Sequence, residues 1–368
     1  MKLLVISSEF PPGPGGIGHH AYSLAKALHQ EDHDVTVLTV SDFAAPEVVS
    51  AFDARHVFPI IRFPRIGWRT YFRRISIIHG NVKEGGYDCV LLTGKFSLWA
   101  GYYLRKRFPG QRTLAILHGS EINPPNRFLR WLTHSSIAAA NGIVSVSAFT
   151  ASLLPGRIRT KRKISIIPNG IDVDQLSAYG DAGSIQMKGT PKLLTVGHVS
   201  PRKGQHRVIR ALPLLRKRYP DIHFHMVGRP LQRERLTELA RSLGVEGHIT
   251  FHGVAESHRM LAGYYRNADA FMLLSENQPN GDVEGFGIVA LEANFFGLPV
   301  IGARFCGVED AVSDGESGFL VDAEKPEEID MALQRCIQMN EALEKGSREW
   351  AMKHDWNRIV HEFIRELE

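Results

Sequence analysis

Short apolar runs alternate with helix-period stretches along nearly the whole chain, and that rhythm limits the fold more than any other feature. Runs at 3–6, 35–40, 89–93, 113–117, 142–146 and 163–167 read as strands, with a helix at 21–29 and helical stretches between most of the others. A strand that is apolar throughout must be covered on both faces, which is the habit of a parallel sheet flanked by helices. The rhythm weakens over 174–191, where small and polar residues mark a linker. A second series then follows, with strands at 192–196, 222–227, 248–252, 270–274, 299–302 and 319–321. Helices at 205–219, 231–243, 256–265, 286–296 and 326–345 alternate with them, and an amphipathic stretch at 347–367 closes the chain. The expected architecture is α/β, with two Rossmann-like doubly wound domains at 1–182 and 183–349. Ligands of such sheets sit beyond the carboxyl ends of the strands, so a cleft between two of them is the expected active site.

Composition narrows the setting. A hydrophobic share of 43% leaves material for two cores. Residues 1–182 carry 21 Lys/Arg against 13 Asp/Glu, a net of +8, whereas 183–368 carry 23 against 26, a net of −3. The basic half is expected to face something anionic, a membrane surface or a phosphorylated acceptor, or else to be a solvated surface without a partner. Cations and aromatics interleave from Arg62 to Arg74, a pattern suited to lipid headgroups; no nucleic-acid motif accompanies it, so nucleic acid is not an expected partner. Cys89, Cys306 and Cys336 form neither a disulfide framework nor a CxxC pair, which favours a reducing cytoplasm. The apolar start is too short for a signal peptide, and no run approaches the ~18 apolar residues of a membrane span. A cytoplasmic protein, peripheral at the inner face of the membrane if the basic half meets lipid, is the expectation.

Three clusters carry chemistry. Gly13, Gly15, Gly16 and Gly18 precede the first helix, where glycine backbone and a helix start favour phosphate. Gly13, Gly15 and Gly18 also fit the GxGxxG of nicotinamide enzymes, with Asp42 as a ribose acid, but six residues separate the motif from its strand. Gly197 to Gly204 opens the second series and holds Arg202 and Lys203, two adjacent cations suited to a diphosphate. The third cluster runs Asp282-Val283-Glu284-Gly285-Phe286-Gly287-Ile288 and on to Glu292. Glu284 lies before a helix and Glu292 about two turns into it, so both carboxylates can reach one long ligand and accept from its hydroxyls.

Taken in order, the pieces resemble family 4 of the retaining glycosyltransferases, which have the GT-B fold, and they cover nearly the whole chain. They are Glu9-Phe10-Pro11-Pro12 with the glycine loop, His118-Gly119, Val144-Ser145-Val146-Ser147, Ile167-Pro168-Asn169-Gly170-Ile171-Asp172, Gly197 to Gly204, Val227-Gly228, Phe251-His252-Gly253, and Glu284 to Glu292. The form Asp-Val-Glu-Gly-Phe-Gly is similar to branches that include bacterial mannosyltransferases. The resemblance implies transfer of a hexose from GDP-mannose or a UDP-sugar to a hydroxyl of a glycolipid, polysaccharide or other saccharide. It makes 1–182, with a crossover helix at 350–368, the acceptor domain, and 183–349 the nucleotide-sugar domain. Glu284, His118, Arg202 and Lys203 become the catalytic set. Donor binding falls to Gly15, Gly16, Arg202, Lys203, Gly228, Arg229, Gly253, Val254, Glu284, Gly285, Phe286, Gly287, Ile288 and Glu292, with Glu292 on the ribose.

The family often has an arginine where this chain has His198, which shifts phosphate charge onto Arg202. Neither a cofactor nor a metal is expected. Asp172-Val173-Asp174 mimics a metal-binding triplet but reads better as a turn with capping aspartates, and His223 and His225 lack further ligands nearby in sequence. Other readings stay open at this point: a nicotinamide oxidoreductase, a sugar-nucleotide epimerase, or a non-catalytic sugar-nucleotide-binding protein.

Overall fold

The computed structural model describes every residue except 14, 42–43, 64–68 and 180–184, and of residue 69 only the backbone. Asp42, part of the cation-aromatic segment, Pro14 of the glycine loop and the middle of the expected linker thus lie outside the described residues. The chain gathers into two compact units, one of Met1–Gly170 with Trp356–Glu368, the other of Ile171–Asp355.

The first unit runs β1 (Lys2–Ser7), α1 (Gly16–Gln30), β2 (Asp34–Val40), α2 (Pro46–Asp53), β3 (Ile60–Phe63), α3 (Arg69–Gly85) and β4 (Cys89–Thr93). It continues with α4 (Lys95–Arg107), β5 (Arg112–Leu117), α5 (Arg127–Ala139), β6 (Gly142–Ser145), α6 (Ala148–Ser152), α7 (Gly156–Arg159) and β7 (Ser165–Ile166). All seven strands pair in parallel in the order β3-β2-β1-β4-β5-β6-β7. Strand alternation sends Leu3 and Val5 into one core and Leu4 and Ile6 into another, so the sheet is buried on both sides. The order reverses direction at β1/β4, the place where such sheets take ligands.

The second unit runs α8 (Val173–Ser177), β8 (Lys192–Val196), α9 (Gln205–Arg218), β9 (His223–Val227), α10 (Arg233–Ser242), β10 (Ile249–Gly253), α11 (His258–Asn267) and β11 (Ala270–Leu273). Then come α12 (Ile288–Phe295), β12 (Val300–Ala303), α13 (Val308–Ala311), β13 (Gly318–Val321), α14 (Pro326–Gln338) and α15 (Asn340–Lys353). Its six strands are parallel in the order β10-β9-β8-β11-β12-β13. The final helix, α16 (Trp356–Leu367), belongs to the first unit. Its Trp356, Ile359, Val360, Phe363 and Leu367 recur at helical spacing and bury against the core around α1.

Three expectations need correction. The helix expected over 326–345 is two helices, broken at Met339. The helix expected from 286 starts at Ile288, because Gly287 sits at φ 96 and cannot continue it. The strands expected in the first series also lack one, β3. Arg62 in β3 is no surface cation: its side chain is largely buried, ion-paired to Asp53 at 2.8 Å, and lies over the rings of Phe10 and Phe52.

Candidate active site

In the second unit the cations and carboxylates that the sequence singles out converge just beyond the carboxyl ends of β8 and β11. The chain leaves β8 through Gly197 and makes a 3-10 turn at Pro201–Lys203. It enters α9 through Gly204, whose φ is 71. A Cβ at Gly204 would lie 1.7 Å from the Leu274 carbonyl oxygen, so only glycine lets this loop press against the segment after β11. That packing is fastened by the Glu276 amide donating to the Arg202 carbonyl at 2.8 Å and by Arg207 Nη1 donating to the Ser275 carbonyl at 2.8 Å.

Lys203 Nζ then meets Glu284 Oε2 at 2.7 Å, Arg202 Nη1 donates to the same oxygen, and Arg202 Nε lies 3.2 Å from Asp282 Oδ1. Two cations and two carboxylates neutralise one another. Burial alone would raise the Glu284 carboxyl, but the charges and hydrogen bonds of Lys203 and Arg202 outweigh it and hold the group below the usual carboxylate range. Removing one partner of such a set leaves the others short of a counter-charge. Asp282, which was part of the quoted motif without a role of its own, emerges as the second anchor of Arg202.

The amides of Gly285, Phe286, Gly287 and Ile288 lead from Glu284 into α12. Glu292 follows in the second turn and receives the Tyr265 phenol at 2.9 Å on Oε2. Burial raises its carboxyl, the opposite direction from Glu284. Beside them the three glycines that end β8, β9 and β10 stand together: the Gly228 amide donates to the Gly253 carbonyl at 2.7 Å, and a Cβ on Gly228 would lie 1.9 Å from the Gly197 carbonyl oxygen. The result is a shelf of bare backbone, flanked by Arg229 and by Val254, which is 63% exposed. His198 is held below its ordinary pKa by burial, then by Arg229, Lys203 and Arg202. It is therefore neutral at pH 7, and Arg229 supplies a cation next to it.

His118, Gly15 and Gly16 belong to the first unit. His118 follows β5 and is nine-tenths buried; its Nε2 shares a hydrogen bond with Thr93 Oγ1 at 2.8 Å, and its amide donates to buried Glu121. The His20 ring meets it edge-on at 4.7 Å. Burial brings the His118 ring down to about 3, so it works as a neutral hydrogen-bonding group. Gly15, at φ 130, caps α1 with its bare α-carbon against Glu9, while a Cβ on Gly16 would meet nothing within 4 Å. Neither Thr93 nor Glu121 was expected beside His118; the motif reports only the histidine.

The aspartate triplet behaves as a cap: Asp172 accepts from the Gln175 amide at 2.9 Å at the start of α8. His223 bonds Thr250, and His225 bonds His252 and the Lys188 carbonyl. Among the described residues no helix is long and apolar enough to cross a membrane.

Comparison with known proteins decides the assignment. A family model described as Glycosyltransferase Family 4 matches residues 14–175, and one described as Glycosyl transferases group 1 matches 183–350. The chain belongs to glycosyltransferase family 4. It is thus a retaining hexosyltransferase that uses a nucleotide-sugar donor, and the oxidoreductase, epimerase and non-catalytic readings fall away. It is 28% identical over 365 residues to the GDP-mannose-dependent alpha-(1-6)-phosphatidylinositol monomannoside mannosyltransferase of Mycolicibacterium smegmatis, across 95% of this chain and 94% of the relative. A D-inositol 3-phosphate glycosyltransferase of Geodermatophilus obscurus is 31% identical over 220 residues, 55% of this chain and 46% of the relative. Sucrose-phosphate synthase from Thermosynechococcus elongatus matches in structure with a TM-score of 0.78 at 21% identity, covering 99% of this chain and 98% of that one. HepE from Anabaena, solved in complex with UDP, matches with a TM-score of 0.75 at 19% identity, covering 100% and 99%. These likenesses establish the GT-B fold.

Proposed function

We propose that the protein transfers mannose from GDP-mannose to a hydroxyl of a lipid-linked saccharide, with the donor taken by 183–349 and the acceptor by 1–182. The Arg202–Lys203–Glu284 cluster carries the donor half of this reading, because it pairs diphosphate-sized positive charge with a carboxylate suited to sugar hydroxyls. The full-length likeness to a GDP-mannose-dependent enzyme supports the choice of base and sugar. Glu284 binds the sugar, Glu292 the ribose, and the glycine shelf with Arg229 and Val254 the base. No cofactor or metal takes part in this reading.

With Glu284 occupied by sugar hydroxyls, retention proceeds on one face of the sugar. The acceptor oxygen bonds to the anomeric carbon as the bond to the diphosphate oxygen breaks; the electron pair leaves with the diphosphate, which takes the acceptor proton. Arg202, Lys203 and the Phe286 and Gly287 amides stabilise the charge that develops. His118, neutral at working pH, orients a hydroxyl.

Contact with an anionic membrane is part of the same proposal, through α4 and α5. These helices hold six Lys/Arg and no acid: Lys95, Arg105, Lys106 and Arg107 on the first, Arg127 and Arg130 on the second. Phe128 is 65% and Trp131 48% exposed, their rings stacked at 6.0 Å, with Tyr102 at 5.9 Å from Trp131. Exposed aromatics on helices that carry six cations and no acid suit a headgroup layer.

The first test is thermal unfolding with millimolar GDP, UDP, ADP, CMP and NAD, followed by transfer from labelled GDP-mannose. A ligand at 100 times its dissociation constant stabilises by about 2.7 kcal/mol. GDP is expected to stabilise most. Stabilisation by UDP with none by GDP overturns the donor assignment.

A further inference from the structure

Glu292 has one oxygen already engaged, and the group that engages it is unusually well fixed. Tyr265, on α11, donates its phenol hydrogen to Glu292 Oε2 at 2.9 Å. Its ring is 1% exposed, lies nearly parallel to Phe296 at 5.4 Å with 13° between planes, and has Phe271 at 5.8 Å. A fully buried ring packed against two others has little room to turn, so the hydroxyl stands at a set point.

The carboxylate it meets has the opposite character. The last torsion of a glutamate is broad and two-fold, and α12 alone does not orient the carboxyl plane. The hydrogen bond from Tyr265 removes that freedom and leaves Oε1 as the oxygen open to a ligand. Two other groups bear on Glu292. Lys203 favours its charged form, and Tyr179, which stacks on His258 at 4.6 Å, has its phenol pushed up to about 12 by burial and then by Glu292.

We propose that Tyr265 is a positioning residue for the donor nucleotide: it holds the Glu292 carboxylate in one orientation, so that Oε1 accepts from the ribose hydroxyls. The proposal rests on the reading of Glu292 as the ribose-binding carboxylate. It adds a residue on another helix that gives this carboxylate its direction, and with it the preference for ribose over deoxyribose.

The experiment is a set of calorimetric dissociation constants for GDP, 2′-deoxy-GDP and 3′-deoxy-GDP (or the UDP series, if UDP is what binds), with inorganic pyrophosphate as a probe that lacks ribose. The wild-type protein is expected to prefer the ribonucleotide about 10-fold or more, the value of a hydrogen bond to a charged group. Glu292→Gln should bring that ratio close to one. Tyr265→Phe should lower it about 3- to 10-fold, by the loss of one orienting hydrogen bond, and leave pyrophosphate binding as in wild type. A Tyr265→Phe protein that keeps the wild-type ratio, while Glu292→Gln loses it, overturns the role of Tyr265 and spares that of Glu292. A Glu292→Gln protein that keeps the ratio overturns the ribose reading itself, and the proposal with it.

The double variant guards against a fold defect in Tyr265→Phe, because an amide in place of the carboxylate leaves no buried charge short of a donor. Measured against Glu292→Gln, it is expected to show no further change. A further loss of ribonucleotide affinity would mean that Tyr265 acts by some route other than Glu292, which also overturns the proposal.

Discussion

The two units answer the same topological question with opposite electrostatics. Both place their site residues beyond the carboxyl ends of parallel strands, His118 after β5 in one and Arg202 with Lys203 after β8 in the other. Around His118 burial dominates: a ring brought down to about 3, Thr93 as its partner, a second buried histidine edge-on, and the Glu121 carboxyl, which accepts from the His118 amide and which burial raises. Around Glu284 every group is charged and paired. A pocket governed by burial suits a ligand recognised by its hydroxyls, since it asks no ion pair to open. An ionic cluster that is already balanced suits a ligand that brings charge and exchanges for a partner in place. The same contrast recurs inside the second unit, where ion pairing holds Glu284 down and burial pushes Glu292 up.

The largest test of this contrast separates the two sides of the ionic cluster. In Glu284→Gln, transfer is expected to fall about 100- to 1,000-fold, the scale of losing a group that acts on the reacting sugar. GDP should bind at least as tightly as before, because a competitor for Arg202 and Lys203 has gone. In Lys203→Ala, GDP affinity itself should fall about 10- to 100-fold, as a charge-assisted contact is lost. Titration calorimetry beside a transfer assay reads both. Equal weakening of GDP by the two substitutions would show that Glu284 does not compete with the diphosphate, and the exchange account would fail.

The next effect concerns the outer surface of the first unit. Phe128→Ser with Trp131→Ser is expected to reduce binding to phosphatidylglycerol vesicles about 10-fold, from the loss of about 1–2 kcal/mol of aromatic burial in the headgroup region. Flotation with phosphatidylcholine vesicles is the control for charge. Wild-type protein that floats with neither removes the membrane contact and leaves α4 and α5 as a solvated basic face, whereas equal flotation with both removes the part played by their cations.

How far the sequence foretold all this depends on the kind of signal. β4 and β8 fall where their unbroken apolar runs place them, at Cys89–Thr93 and Lys192–Val196. β3 escaped because Pro59 and Pro64 bracket it and because Arg62 reads as a surface cation until Asp53, a residue of another element, is seen to pair with it. Arg202, Lys203 and Glu284 were legible as loop residues whose chemistry is written in their types. Their mutual pairing was not, since it depends on Gly204 letting two loops meet. Tyr265 and Thr93 were illegible for a related reason. Each looks like an ordinary core residue in its own segment, and only the packing of helices and strands 25 to 27 positions apart aims it at Glu292 or His118.

The last test reaches the His118 pocket through its pH dependence. His118 is brought from an ordinary value of 6.5 down to about 3 in the folded protein, so between those values the unfolded chain binds a proton that the folded one refuses. Stability from this residue is therefore present above pH 6.5 and is lost as pH falls toward 3, at a limiting slope of about 1.4 kcal/mol per pH unit for one proton. His118→Gln should remove that one proton from the slope of unfolding free energy between pH 6 and 4, whatever it does to stability at pH 7. Urea unfolding across this range measures the slope directly. The second unit gives the internal reference: His223 and His252 are each brought down to about 4 by burial and by neighbouring histidines, so His118→Gln should leave a residual acid sensitivity. An unchanged slope would mean that the His118 pocket opens to water and that its neutrality is not a property of the first unit. A slope that vanishes altogether would make the acid sensitivity belong to His118 alone and withdraw the second unit's histidines from the comparison.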